Sequence, residues 1–138
     1  GEGIDYLELY DDGLSANQTL RLDESGTIQY HNGAAWVDGY NGNGGVNLAY
    51  EFEGFGASNN KDIMYGNSGD NTLNAHNGND TVYGLGGDDV INGGNDDDLL
   101  YGDDIANTLS RDDTLIGGNG NDTMYGGKGD DLFYGFIR

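Results

Sequence analysis

The chain has no cysteine and no proline, and only five of its 138 residues are Lys or Arg. The lack of cysteine rules out a disulfide framework and is compatible with export. The few cations, Arg21, Lys61, Arg111, Lys128 and Arg138, are scattered. Nucleic acid is therefore excluded as an expected partner, because phosphate binding needs clustered Lys and Arg. Only two histidines occur, His31 and His76, and there is no H-E-x-x-H zinc motif and no G-x-S-x-G nucleophile elbow. Carboxylates abound, but no glycosidase pair stands out among them. The chain is thus read as having no catalytic residues of its own. No apolar run is long enough to span a membrane, and no helical apolar period extends over two turns. No signal peptide begins the chain, which reads as a fragment of something larger.

What is present is acid and glycine. There are 25 Asp and Glu residues, a net charge of −20, and 27 glycines. Such a charge opposes compaction, so a folded form is expected to need a cation.

The acids and glycines are arranged with a period of nine. Gly117 to Tyr125 and Gly126 to Tyr134 both read G-G-x-G-x-D-x-U-x, where U is a large apolar residue. In the same frame, Gly84 to Asn92, Gly93 to Tyr101, Ala75 to Tyr83, Gly66 to Asn74 and Ala57 to Tyr65 are worn copies. The unit from Gly102 to Ile116 is fifteen residues long, so it holds six extra, placed near 103–108. That makes eight units over residues 57–134. In each, a six-residue turn leads into a three-residue strand. Glycine permits the positive φ of such a turn, and its carbonyls supply the hard oxygen that suits Ca²⁺. The eighth-position residues, Met64, Leu73, Val82, Ile91, Leu100, Leu115, Met124 and Phe133, are expected to face inward. A disordered linker of the same composition would not keep eight apolar residues in register.

The nonapeptide resembles that of the RTX (repeats-in-toxin) calcium-binding parallel β-roll family. The resemblance implies an all-β fold, a right-handed parallel β-roll in which two nonapeptides make one coil. Calcium would then lie between turns two units apart. One edge would carry Asp62, Asp80, Asp98 and Asp122, and the other Asn71, Asp89, Asp113 and Asp131. Turn carbonyls around Gly66, Gly69, Gly84, Gly87, Gly93, Gly117, Gly118, Gly120, Gly126, Gly127 and Gly129 would complete the metal sites. Up to about six Ca²⁺ ions follow. Asp122 and Asp131 lie in the unblemished repeats, so calcium is expected to bind best there. The resemblance further implies secretion to the extracellular space, by type I export from a Gram-negative bacterium. The end at 135–138 is too short to show an export signal.

Residues 1–56 lack the repeat and are read as a small antiparallel β cap. Thr19 to Leu22 and Thr27 to Tyr30 flank Asp23-Glu24-Ser25-Gly26, a plausible hairpin, and Val46 to Phe52 reads as a further strand. An open solenoid end needs covering, and Trp36, Leu48 and Phe52 are candidates. Tyr65, Tyr83, Tyr101 and Tyr125 each end an alternate unit, so they stack on one outer face. Such a ladder stabilises itself, or offers a candidate surface for a glycan or another protein.

Three functions are compatible with these features. The chain is a calcium-dependent folding module that stabilises or assists secretion of a larger polypeptide. Alternatively, it is a carbohydrate- or surface-binding module built on the roll. The third reading is an accessory module of a calcium-dependent secreted enzyme such as a protease, lipase or alginate epimerase.

Overall fold

A computed structural model describes the strand backbones at 6–8, 19–22, 28–31, 36–38 and 54–56, and residues 59–104, 106 and 108–136 in full. All regular structure there is β. The early strands are β1 (Tyr6–Glu8), β2 (Thr19–Leu22), β3 (Ile28–His31), β4 (Trp36–Asp38) and β5 (Gly54–Gly56). The repeats supply β6 (Ile63–Tyr65), β7 (Thr72–Asn74), β8 (Thr81–Leu85), β9 (Val90–Asn95), β10 (Leu99–Asp103), β11 (Thr114–Asn119), β12 (Thr123–Tyr125) and β13 (Leu132–Tyr134). Successive repeat strands alternate between two sheets, ordered β1-β5-β7-β9-β11-β13 and β12-β10-β8-β6-β2-β3-β4. Every pair between repeat strands is parallel, with eighth-position residues opposite one another: Leu73 faces Ile91, and Val82 faces Leu100. The fold is a parallel β-roll.

The nine-residue period explains this. Residues seven to nine of each unit are extended, so the eighth points to one side and its neighbours to the other. Met64, Leu73, Val82, Ile91, Leu100 and Leu115 are all buried between the sheets. Each contributes about 1.5–3 kcal/mol of burial, which offsets the ordering of its glycine-rich turn. The central strands β8 to β11 run to five or six residues rather than three. The opening residues of the following turn extend the ladder, as where Gly118 pairs with Gly94.

The region read as an antiparallel cap differs from that expectation. Strands β2, β3 and β4 do pair antiparallel. However, β1 pairs parallel with β5, β5 with β7, and β2 with β6. Parallel sheet therefore extends into residues 1–56, because a roll's strand edge accepts any extended segment in register, with or without the nonapeptide. The side chains of Trp36, Leu48 and Phe52 and the segment from Val46 to Phe52 lie outside the described residues.

The long unit is placed by its neighbours. Asp103 pairs with Leu85, the second residue of its own unit. Downstream, the Arg111 carbonyl lies against Gly129, the fourth residue of its unit. The extra residues thus fall between Asp103 and Arg111, a little later than 103–108.

Candidate metal centre

The sixth-position residues form two rows, one along each edge of the roll. On one edge the backbone N–H of Asp62 donates to Asp80 Oδ1 (2.7 Å), that of Asp80 to Asp98 Oδ1 (2.8 Å), and that of Asp98 to Asp122 Oδ1 (3.1 Å). On the other edge Asn71 donates to Asp89 (2.8 Å), Asp89 to Asp113 (2.8 Å), and Asp113 to Asp131 (3.0 Å). The structure brings together both sets of four that the repeat pattern singled out. From Asp80 onward each carboxylate spends one oxygen on the turn two units back.

The second oxygen is left over. Oδ2 of Asp80, Asp89, Asp98 and Asp113 is buried with no hydrogen-bond partner. Backbone carbonyls lie beside three of these oxygens. A Cβ placed on Gly84 would overlap Asp89 Oδ2 and lie 2.6 Å from the Gly102 carbonyl oxygen. One on Gly93 would overlap Asp98 Oδ2 and lie 2.7 Å from the Gly117 oxygen. At Gly102 the same holds for Asp113 Oδ2 and the Gly126 oxygen, again at 2.7 Å. The first glycine of the unit thus keeps open a small space walled by a carboxylate oxygen and a carbonyl oxygen. Gly66 does so with Asn71 Oδ1 and the Gly84 oxygen, which provides no charge.

An unpaired buried carboxylate is costly. Burial first, and the neighbouring carboxylates after it, push Asp80 and Asp89 up to about 8, Asp98 to about 7 and Asp113 to about 6. The backbone N–H that each accepts pulls the other way and does not win. A hard cation would relieve both causes at once. Among the described residues no three Asp, Glu or His side chains converge on one point, so such an ion has to draw on backbone carbonyls. The fit is to Ca²⁺, which takes six to eight oxygens in flexible geometry.

Other turn glycines serve the backbone. Gly118 and Gly120 have φ of 98° and 149°, and a side chain there would also run into the Gly94 and Asp96 carbonyls.

Two features escaped the reading of the repeat. A second carboxylate row, Asp70, Asp88, Asp112 and Asp130, lies on the outside of one edge, each of the first three accepting the backbone N–H of the next. The signal was present, since the fifth position is Asp or Asn in every unit from Gly66 onward. Asp103, inside the long unit, is also buried, and it has no counterpart in the pattern.

The tyrosines do form a column. Ring centroids are 4.9 Å apart for Tyr65–Tyr83 and Tyr83–Tyr101 and 5.1 Å for Tyr101–Tyr125, with planes within 11° of parallel. Both faces of Tyr83 and Tyr101 are therefore covered by other rings, leaving their edges to solvent.

The RTX calcium-binding nonapeptide repeat family matches this chain in four overlapping copies, over residues 57–89, 65–100, 76–109 and 107–135. Together these span more than half of the chain. Comparison with curated proteins finds no match.

Proposed function

The chain belongs to the RTX calcium-binding nonapeptide repeat family, and from that premise we propose that calcium binding drives this roll to fold. Its repeats make it a calcium-binding module of the kind typical of secreted bacterial proteins, and no helix among the described residues is long and apolar enough to cross a membrane. The finer reading is that the module stays open where calcium is scarce and closes outside the cell, where it stabilises a larger secreted polypeptide. One observation carries it: four buried carboxylates each hold an oxygen with no partner. Asp89, Asp98 and Asp113 would hold the ions with the carbonyls of Gly102, Gly117 and Gly126. Asp80 lacks such a space, because its unit begins with the buried Ala75 instead of glycine. Each ion supplies charge neutralisation and ties two turns of one edge together.

Circular dichroism with and without chelator tests this. Strand signal is expected to appear with calcium and vanish in excess EDTA; a spectrum indifferent to EDTA would sink the reading. A sugar-binding role has less to rest on, because stacked rings offer a glycan no free face at Tyr83 or Tyr101. In our reading the module acts by binding, and turnover of any substrate by the isolated chain would overturn that.

A further inference from the structure

The long unit between β10 and β11 differs from its neighbours in more than length. At the second position of a unit His76, Leu85, Gly94, Gly118 and Gly127 all have positive φ, between 74° and 117°. Asp103 occupies that position in strand β10 without a positive φ, its N–H donating to the Gly126 carbonyl at 2.9 Å. Asp103 is 8% exposed, against 1% for Asp113. Asp103 Oδ2 accepts the Lys128 backbone N–H at 2.9 Å. Asp103 Oδ1 is buried with no partner, as is Asp113 Oδ2.

These two orphaned oxygens belong to one neighbourhood. Gly126 O receives the Asp103 N–H and also walls the space at Gly102 that Asp113 Oδ2 enters. Among the carboxylates that act on Asp113, Asp103 weighs most, ahead of Asp131 and Asp88. Two buried carboxylates that act on one another repel unless a cation offsets their charge.

We propose that Asp103 is a second carboxylate ligand of the cation site at Gly102, Asp113 and Gly126, giving the long unit a calcium site of higher charge than any built from the nonapeptide alone. This rests on the calcium reading above and deepens it. Ligand charge count tunes calcium affinity, so this site fills first and has the strongest preference for a trivalent lanthanide over calcium. A cleft of about 500 Å³ opens on Asp103 and Gly126, lined also by Lys128, Tyr101 and Tyr125.

The two tyrosines make the site readable. Tb³⁺ titrated into the intact chain and excited through tyrosine is expected to show an early emission step that calcium displaces last. Asp103→Gly, which restores the residue the repeat has there, is expected to weaken that step about tenfold. Asp103→Asn, which keeps the size and the backbone bonds, is expected to do the same, and it serves if the glycine variant does not fold. Asp130→Asn removes an equal charge from the exposed outer row and is expected to leave the step in place. Titrations of both Asp103 variants that match the unaltered chain would overturn the proposal, as would an equal loss in Asp130→Asn. An unaltered chain with no terbium or calcium step at all would instead overturn the calcium reading itself.

Discussion

The first glycine of a repeat is needed here for space, and only some of the later ones for backbone freedom. Gly84 shows the first case, because any Cβ there would enter the gap between Asp89 Oδ2 and the Gly102 carbonyl. Gly84→Ala is expected to cost about 1–3 kcal/mol through overpacking, and to lower calcium affinity because it fills the ion's place. Gly135, with nothing near its would-be Cβ, is the control, and Gly135→Ala is expected to change stability by less than about 0.5 kcal/mol. Thermal midpoints in excess calcium compare the two. The second case is reversed at Asp96, an exposed residue holding φ of 76° at a position where the pattern has glycine. Asp96→Gly is expected to stabilise the calcium-loaded roll by about 1 kcal/mol, the cost of a left-handed backbone for a residue with a side chain. Asp96→Asn removes the charge alone, and a gain as large in that variant would assign the effect to electrostatics instead.

Among the strands, closeness to the repeat pattern and depth of packing do not run together. The two unblemished repeats end in β12 and β13, where Phe133 is 48% exposed. The worn repeats before them bury Met64, Leu73 and Val82 completely or nearly so. A strand in a solenoid is buried by the turns on both sides of it, whatever its own glycine count. Ile91→Ala is therefore expected to cost about 2–5 kcal/mol, while Phe133→Ala costs below about 1 kcal/mol; chemical denaturation in calcium measures both. This also marks what could be read in the chain beforehand. The inward residues from Met64 to Leu115, the two edges of sixth-position carboxylates and the tyrosine column follow from a period of nine, since parallel pairing repeats every two units; Met124 and Phe133, expected inward as well, are half-buried and exposed because no further turn covers them. The hairpin of β2 and β3 was legible, but the parallel pairing of β1, β2 and β5 was not, because no periodicity marks them and a parallel partner distant in sequence leaves no local trace. The outer row of Asp70, Asp88, Asp112 and Asp130 is periodic, but its role depends on backbone N–H groups one coil away. Asp103 could not be read at all. It stands where glycine is expected, and only the register on either side of the long turn shows it to be buried.

At the scale of the whole molecule the governing quantity is the charge of −20, concentrated in turns that stack upon one another. Magnesium is expected to replace calcium poorly, because it demands compact octahedral geometry and yields its water reluctantly. Millimolar Mg²⁺ restoring the calcium spectrum and thermal midpoint would remove the basis for the site assignment. Protons are the other cation available, and they lead to a pH dependence whose sign is fixed. Burial and like charge raise Asp80 and Asp89 to about 8, Asp98 to about 7 and Asp113 to about 6 in the folded roll. In an unfolded chain the same groups titrate near about 3.9. Between these limits the folded state binds more protons than the unfolded one, so stability falls as pH rises. The contribution is fully present below about pH 3.9 and is lost by the time pH passes 8, the highest of the folded values. Calcium competes for the same oxygens, so its affinity should rise over the same window. Dialysed, calcium-free protein is thus expected to gain strand signal as pH is lowered from 8 towards 4, and to lose it again on return. Adding calcium at pH 8 should recover that signal, and less of the signal should depend on calcium as pH is lowered. A calcium-free strand signal that grows with rising pH would mean that these carboxylates are not the groups that hold the roll open.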